Sequence, residues 1–193
     1  MNEAFAAHPV SMVPQWLDAL GGGEWIASFS RYRYVPQTVE DRRERFRVPL
    51  RHVTPNWLEA QLATLPSGSE LALDSVLRSG RREMHIPMVD FAADALRQVE
   101  VVAWAADHLQ LSLQLFASGR SYHAYGTQPI SRSKWIRLMG LLLLANLPDQ
   151  PPLVDARWIG HRLLAGYASL RWSRNSPHYL SVPSAFASTW SPS

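Results

Sequence analysis

The chain reads as an α+β protein, and three observations predict that class. Leu71, Leu73, Ser75 and Leu77 alternate with Ala72, Asp74 and Val76, which is the two-residue period of a strand. Leu96, Val99, Val102, Ala103 and Ala106 recur at the spacing of one helix face. The two patterns come in irregular order, with hairpin-like strand pairs between helices rather than a steady strand–helix alternation.

A length of 193 residues with 47% hydrophobic content suits one domain, 1–193, with a sizeable core. Residues 1–14 are small, polar and proline-bearing, and are expected to be loosely ordered. The net charge is +3, and every basic residue except Lys134 is arginine, the side chain that grips phosphate bidentately and stacks on flat rings. GC-rich codons would give the same bias. With no cysteine, disulfides and thiolate zinc sites are excluded. The first residues lack the basic-then-apolar order of a secretory leader. The longest apolar run, 138–147, is half of the ~20 residues that span a bilayer. A cytoplasmic protein with no membrane attachment is expected.

The elements follow in order. A short helix over 15–20 stops at Gly21, Gly22 and Gly23. No Lys-Ser or Lys-Thr follows, as a phosphate loop would require. Residues 24–35 read as a strand. The charged run 39–47 reads as a solvated loop or edge, ending in the alternation Phe46, Val48, Leu50. Thr54 and Pro55 open a helix to about Leu65. A hairpin follows, with its return strand over 84–92 and Pro87 placing that strand at an edge or bulge. Then come a helix over 94–108, strands over 111–117 and 121–126, and an apolar helix capped by Ser131 or Ser133 and ended by 148–152. A helix after Asp155 and strands near 168–172 and 178–182 complete the chain.

The stretch 118–123, Ser-Gly-Arg-Ser-Tyr-His, joins two strands. Its turn offers N–H groups, a hydroxyl and the Arg120 guanidinium to phosphate oxygens. His123 lies two residues past Ser121, on the same strand face. Asp90 ends an apolar strand and Asp155 precedes a helix; each suits a cleft, and Asp155 equally suits an N-cap. Arg171 stands within an apolar strand and calls for an anionic partner, either a phosphate or an acid of the protein itself.

In this order the segments resemble the archaeo-eukaryotic primase superfamily, the primase-polymerase catalytic domain. Residues 88–92 look like its acidic motif, 118–123 like its Ser-Gly-x-x-x-His motif, and 153–155 like its later acid. Residues 170–173 are similar to the basic segment that follows. The resemblance covers about 70–185. It implies an RRM-like antiparallel or mixed sheet with flanking helices and an N-terminal α/β unit. It also implies nucleotidyl transfer from nucleoside triphosphates on a single-stranded DNA or RNA template, using Mg²⁺ or Mn²⁺. Asp90 and Asp155 would hold the metal. Ser118, Gly119, Arg120, His123 and Arg171 would hold the nucleotide.

The acidic motif departs from the family pattern. Its second acid is replaced by Ala92, and Asp94 lies ~13 Å from Asp90 along an extended strand. The alternative is therefore a catalytically inactive nucleotide- or nucleic-acid-binding subunit of a replication, mobile-element or defence complex. A domain of this size would need a protein partner, such as a helicase, to load it on a template. An unrelated α+β enzyme with a coincidental turn is the third reading.

Overall fold

The computed structural model describes residues 5–92, 104 and 106–190. The helix expected over 94–108 falls mostly outside them, as does Asp94. The strands are β1 (Ile26–Tyr32), β2 (Arg43–Pro49), β3 (Glu70–Ser79), β4 (Arg82–His85), β5 (Met88–Asp90), β6 (Leu113–Ala117), β7 (Tyr122–Gly126), β8 (Ser169–Arg171) and β9 (Ser184–Trp190). The helices are α1 (Val13–Ala19), α2 (Pro55–Ala63), α3 (Arg132–Leu144) and α4 (Ala156–Ala165). This is the expected α+β class. All strand pairings among the described residues are antiparallel.

The strands form two sheets. The first runs β2-β1-β3-β4, with β8 also on β3; the second runs β5-β7-β6-β9. β3 is long enough to take two partners along one edge. Ala72–Asp74 pair with β8, and Val76–Ser79 pair with β4. Between them, Ser75 donates its N–H to Ala168 and accepts from Ile86. The charged run 39–47 becomes the turn into β2, an edge strand, on which Glu44 and Arg47 are exposed while Arg43 and Arg45 engage Asp41 and Asp74.

The expected return strand over 84–92 is two strands in two sheets. Pairing with β3 ends at His85, and Met88–Asp90 pair with β7 instead. Pro87 makes the break, since it has no N–H to continue a ladder. Its carbonyl is retained by the N–H of Gly126. Gly126 lies so close that a Cβ there would sit 2.7 Å from Pro87 Cβ and Cδ.

Helix ends follow the local chemistry. Thr54 accepts from the N–H of Trp57, and Ser131 rather than Ser133 accepts from Lys134. Gly166, at φ 77°, turns the chain out of α4 in the left-handed conformation that ends many helices. The core holds Trp16, Trp25, Trp135 and Trp172, each buried and each the kind of side chain that dominates core energetics. Trp172 Nε1 bonds Tyr125 Oη and so ties the two sheets together.

Two expectations are corrected. Residues 8–13 are not loose: His8, Pro9, Val10, Met12 and Val13 are buried. His8 accepts at Nδ1 from Val10 and donates from Nε2 to the carbonyl of Trp172. The final strand is β9, not 178–182, which remains a loop. That loop lines the cleft described next.

Candidate nucleotide-phosphate cleft

A cleft of about 1450 Å³ opens between the two sheets. Its walls are the end of β1 and the β1–β2 loop, the end of β5, the β6–β7 turn, the start of α4, β8 and the loop after β8. Eight arginines and five carboxylates line it among the described residues, an excess equal to the formal charge of the whole chain. All the residues named from sequence as site candidates, except Gly119, line it.

Asp90 and Asp155 come together through the backbone. Phe91 bridges Val154, the N–H of Ala92 reaches Leu153, and the N–H of Asp155 reaches the carbonyl of Asp90 at 3.3 Å. Enclosure, and after it the charge of Asp155, push the Asp90 carboxyl up to about 7, against the pull of Arg171. Its side chain remains 27% exposed, so cleft water tempers the effect of burial. Asp155 Oδ1 accepts from the N–H groups of Arg157 and Trp158. It is thus the N-cap of α4 as well as a cleft residue.

His123 pairs in register with Asp90 across β7, and its Nε2 lies 3.7 Å from Asp90 Oδ1. Burial, and then the charge of Arg171, hold the imidazole down to about 3. It is therefore neutral at pH 7, and the contact with Asp90 is a close polar approach rather than an ion pair. Its Nδ1 is buried and has no partner among the described residues.

The turn after β6 is closed by the Ser118 N–H on the carbonyl of Ser121 at 2.9 Å, with the two hydroxyls 3.2 Å apart. Gly119 sits at φ 119°, a conformation open to glycine but not to side-chain-bearing residues, and a Cβ there would crowd Leu180 at 3.3 Å. Arg120 is exposed and forms no hydrogen bond or ion pair with the described residues.

Arg171 was expected to face an anion. It is buried and instead donates to three backbone carbonyls: Ser118 at 2.7 Å, Ser181 at 3.0 Å, and Ser173. Its guanidinium lies 4.0 Å from the Tyr179 ring centroid. Neutral carbonyls take up Nη1 and Nη2 without cancelling its charge, and its buried Nε has no partner among the described residues. Its field lowers the pKa of both Asp90 and His123. Arg171 therefore pins the Ser-Gly-Arg turn to the loop after β8 and keeps the cleft positive.

Sequence reading missed a second polar cluster. Asp74, fully buried on β3, accepts from Ser30, Ser169 and Arg45. Burial raises its carboxyl, while Arg45 and the two hydroxyls pull it back. Asp41 binds Arg43 and Arg162. Arg45 covers the ring of Tyr167 at 3.9 Å, and Arg43 that of Tyr32 at 4.1 Å. One signal was available: Asp74 is a lone acid in the apolar run 71–77.

The donor set does not fit a pair of divalent ions. A two-ion centre needs a carboxylate shared between the ions and further oxygens on each. Here position 92 is alanine, and one oxygen of Asp155 is committed to the helix cap. No group of three His, Asp or Glu placed to hold a metal occurs among the described residues.

Residues 49–184 match the family described as Archaeo-eukaryotic primase 1D-like. That is more than half of the chain, and it includes β5, the β6–β7 turn and the start of α4. The chain belongs to this archaeo-eukaryotic primase-like family, and its domain is of the primase-polymerase type. No curated protein matches it, and no solved structure does. No helix among the described residues is long and apolar enough to cross a membrane.

Proposed function

We propose that this domain binds the phosphates of a nucleotide in the cleft and does not itself join nucleotides. The observation that supports the reading is the Ser-Gly-Arg turn. It is closed on itself and pinned by Arg171, and it holds Arg120, which has no hydrogen bond or ion pair among the described residues, in the same cleft as a neutral His123. Such a turn costs little reorganisation on binding, and a charged guanidinium is the donor best matched to phosphate. Asp90 and Asp155 line the cleft side by side, and Ala92 stands where the second acid of a catalytic motif belongs. Phosphate recognition then falls to Ser118, Arg120 and His123, with Gly119 allowing the turn its shape and Arg171 acting through the turn. In this reading the domain serves as a nucleotide- or nucleic-acid-binding subunit, and a protein partner supplies the rest of the activity.

Metal-dependent nucleotidyl transfer is the second reading. It is favoured by the backbone bond that sets Asp90 beside Asp155. Purified protein with labelled triphosphates, single-stranded template and Mn²⁺ separates the two. The proposal expects nucleotide binding without extension or dinucleotide product. Product that disappears in Asp155→Asn would overturn it.

A further inference from the structure

The β1–β2 loop, residues 33–42, lies outside the family match yet forms one wall of the cleft. Apolar burial does not hold it there: Tyr34, Val35 and Val39 are 48%, 58% and 81% exposed. Two polar contacts fasten it to α4. Arg157 donates to the carbonyl of Thr38 at 2.7 Å, and Asp41 meets Arg162. Asp41 is also gripped by Arg43, whose Nε lies 2.9 and 2.8 Å from its two oxygens.

The arginines on this carboxylate are built into the fold. Arg162 is 1% exposed, and its Nε and Nη1 have no partner among the described residues. Arg43 is fixed on Tyr32 and on the hydroxyls of Ser30 and Ser169. Arg45 is committed to Asp74. If Asp41 left, Arg43 and Arg162 would keep their places with no carboxylate between them. Unpartnered donors on a buried arginine are costly, and a tetrahedral oxyanion with more acceptor oxygens than a carboxylate would satisfy them better.

We propose that Arg43 and Arg162 form a second phosphate site in the cleft, gated by Asp41, whose carboxylate stands in for a ligand phosphate in the free protein. The inference rests on the phosphate-binding reading of the cleft and adds a competitor within the chain. A ligand phosphate displaces Asp41, and residues 33–42 swing away from α4. The phosphate comes either from a nucleotide's own chain or from a nucleic-acid strand that spans both sites.

The test uses the full chain and three probes: inorganic tripolyphosphate, a nucleoside triphosphate and a fluorescent single-stranded oligonucleotide. Asp41→Asn keeps the side-chain shape and removes the competing charge. It should tighten binding by about five-fold, the scale of one partly exposed ion pair. Gain with the oligonucleotide alone assigns the phosphate to a strand, and the salt dependence should then steepen by about 0.7 in log–log slope. Gain with the triphosphate or tripolyphosphate assigns it to the nucleotide. A second readout needs no variant: hydrogen exchange over 33–42 in the natural sequence should rise when ligand binds. Unchanged or weaker binding by Asp41→Asn, or slower loop exchange on binding, overturns the gate while leaving the first site standing. If neither protein binds any probe, both readings fall.

Discussion

The backbone N–H of Asp155 bonds the carbonyl of Asp90 at 3.3 Å, so two acids 65 positions apart in sequence are neighbours in one cleft. The same contact places the cap of α4 against the end of β5. Its consequences for charge, stability and ligand binding can each be measured.

The pH dependence of stability should carry the signature of Asp90. Its folded pKa, about 7, lies above its ordinary value of 3.8, so the folded state holds a proton that the unfolded state has lost between those limits. Its contribution to stability therefore falls as pH rises from about 4 to about 7. His123 and His8 run the other way, held down to about 3 and about 4 from 6.5, and favour folding as pH rises toward 6.5. Asp90→Asn should raise Tm at pH 8 and leave it nearly unchanged at pH 4, making the acid side of the profile steeper. Thermal unfolding across pH 4–8 checks this; an equal shift at both ends would contradict it.

Arg171 supports the turn from below. Arg171→Met keeps much of the side-chain volume but strands the carbonyls of Ser118, Ser173 and Ser181. Buried acceptors left without donors cost about 1–3 kcal/mol each, tempered where water enters. Urea unfolding should show a loss of about 3 kcal/mol. Hydrogen exchange should quicken first in residues 118–121.

The crossing of the chain from one sheet to the other depends on Gly126 against Pro87. Gly126→Ala would force a methyl group to within 2.7 Å of the proline ring. Overpacking of this kind costs about 1–3 kcal/mol. The double variant Gly126→Ala/Pro87→Ala should recover part of that loss, which a double-mutant cycle in urea would measure.

Ala92 offers a gain-of-function test. It lines the cleft two residues past Asp90, on the same side of the chain. Ala92→Asp should tighten Mn²⁺ binding by about ten-fold or more, followed by titration calorimetry. No change would mean that position 92 does not share a site with Asp90 and Asp155.

Much of this was legible from residues, and the failures have physical causes. Thr54, Ser131 and Asp155 announced their helices because a cap is a local hydrogen bond. The turn at 118–121 and its His were legible for the same reason. The split at Pro87 was half legible: the proline marked an irregularity, but Gly126, its packing partner, lies 39 residues further on. His8 and its segment looked loose because their burial depends on Trp172, at the other end of the chain. Asp41 lay in a run that reads as solvated, Arg162 gave no signal within its helix, and only the fold brings them together. Arg171 was read as needing an anionic partner, and sequence gives no sign that backbone carbonyls would take its donors instead.

The central claim is that the cleft holds nucleotide phosphates through Arg120 and His123 without relying on metal. Titration of a nucleoside triphosphate into the full chain in the presence of EDTA tests it directly. Binding should persist under chelation and weaken by about ten-fold or more in Arg120→Ala, as expected for losing a charged hydrogen bond worth about 1.5–3 kcal/mol. Binding that vanishes in EDTA and returns with Mn²⁺, or that Arg120→Ala leaves untouched, would contradict it.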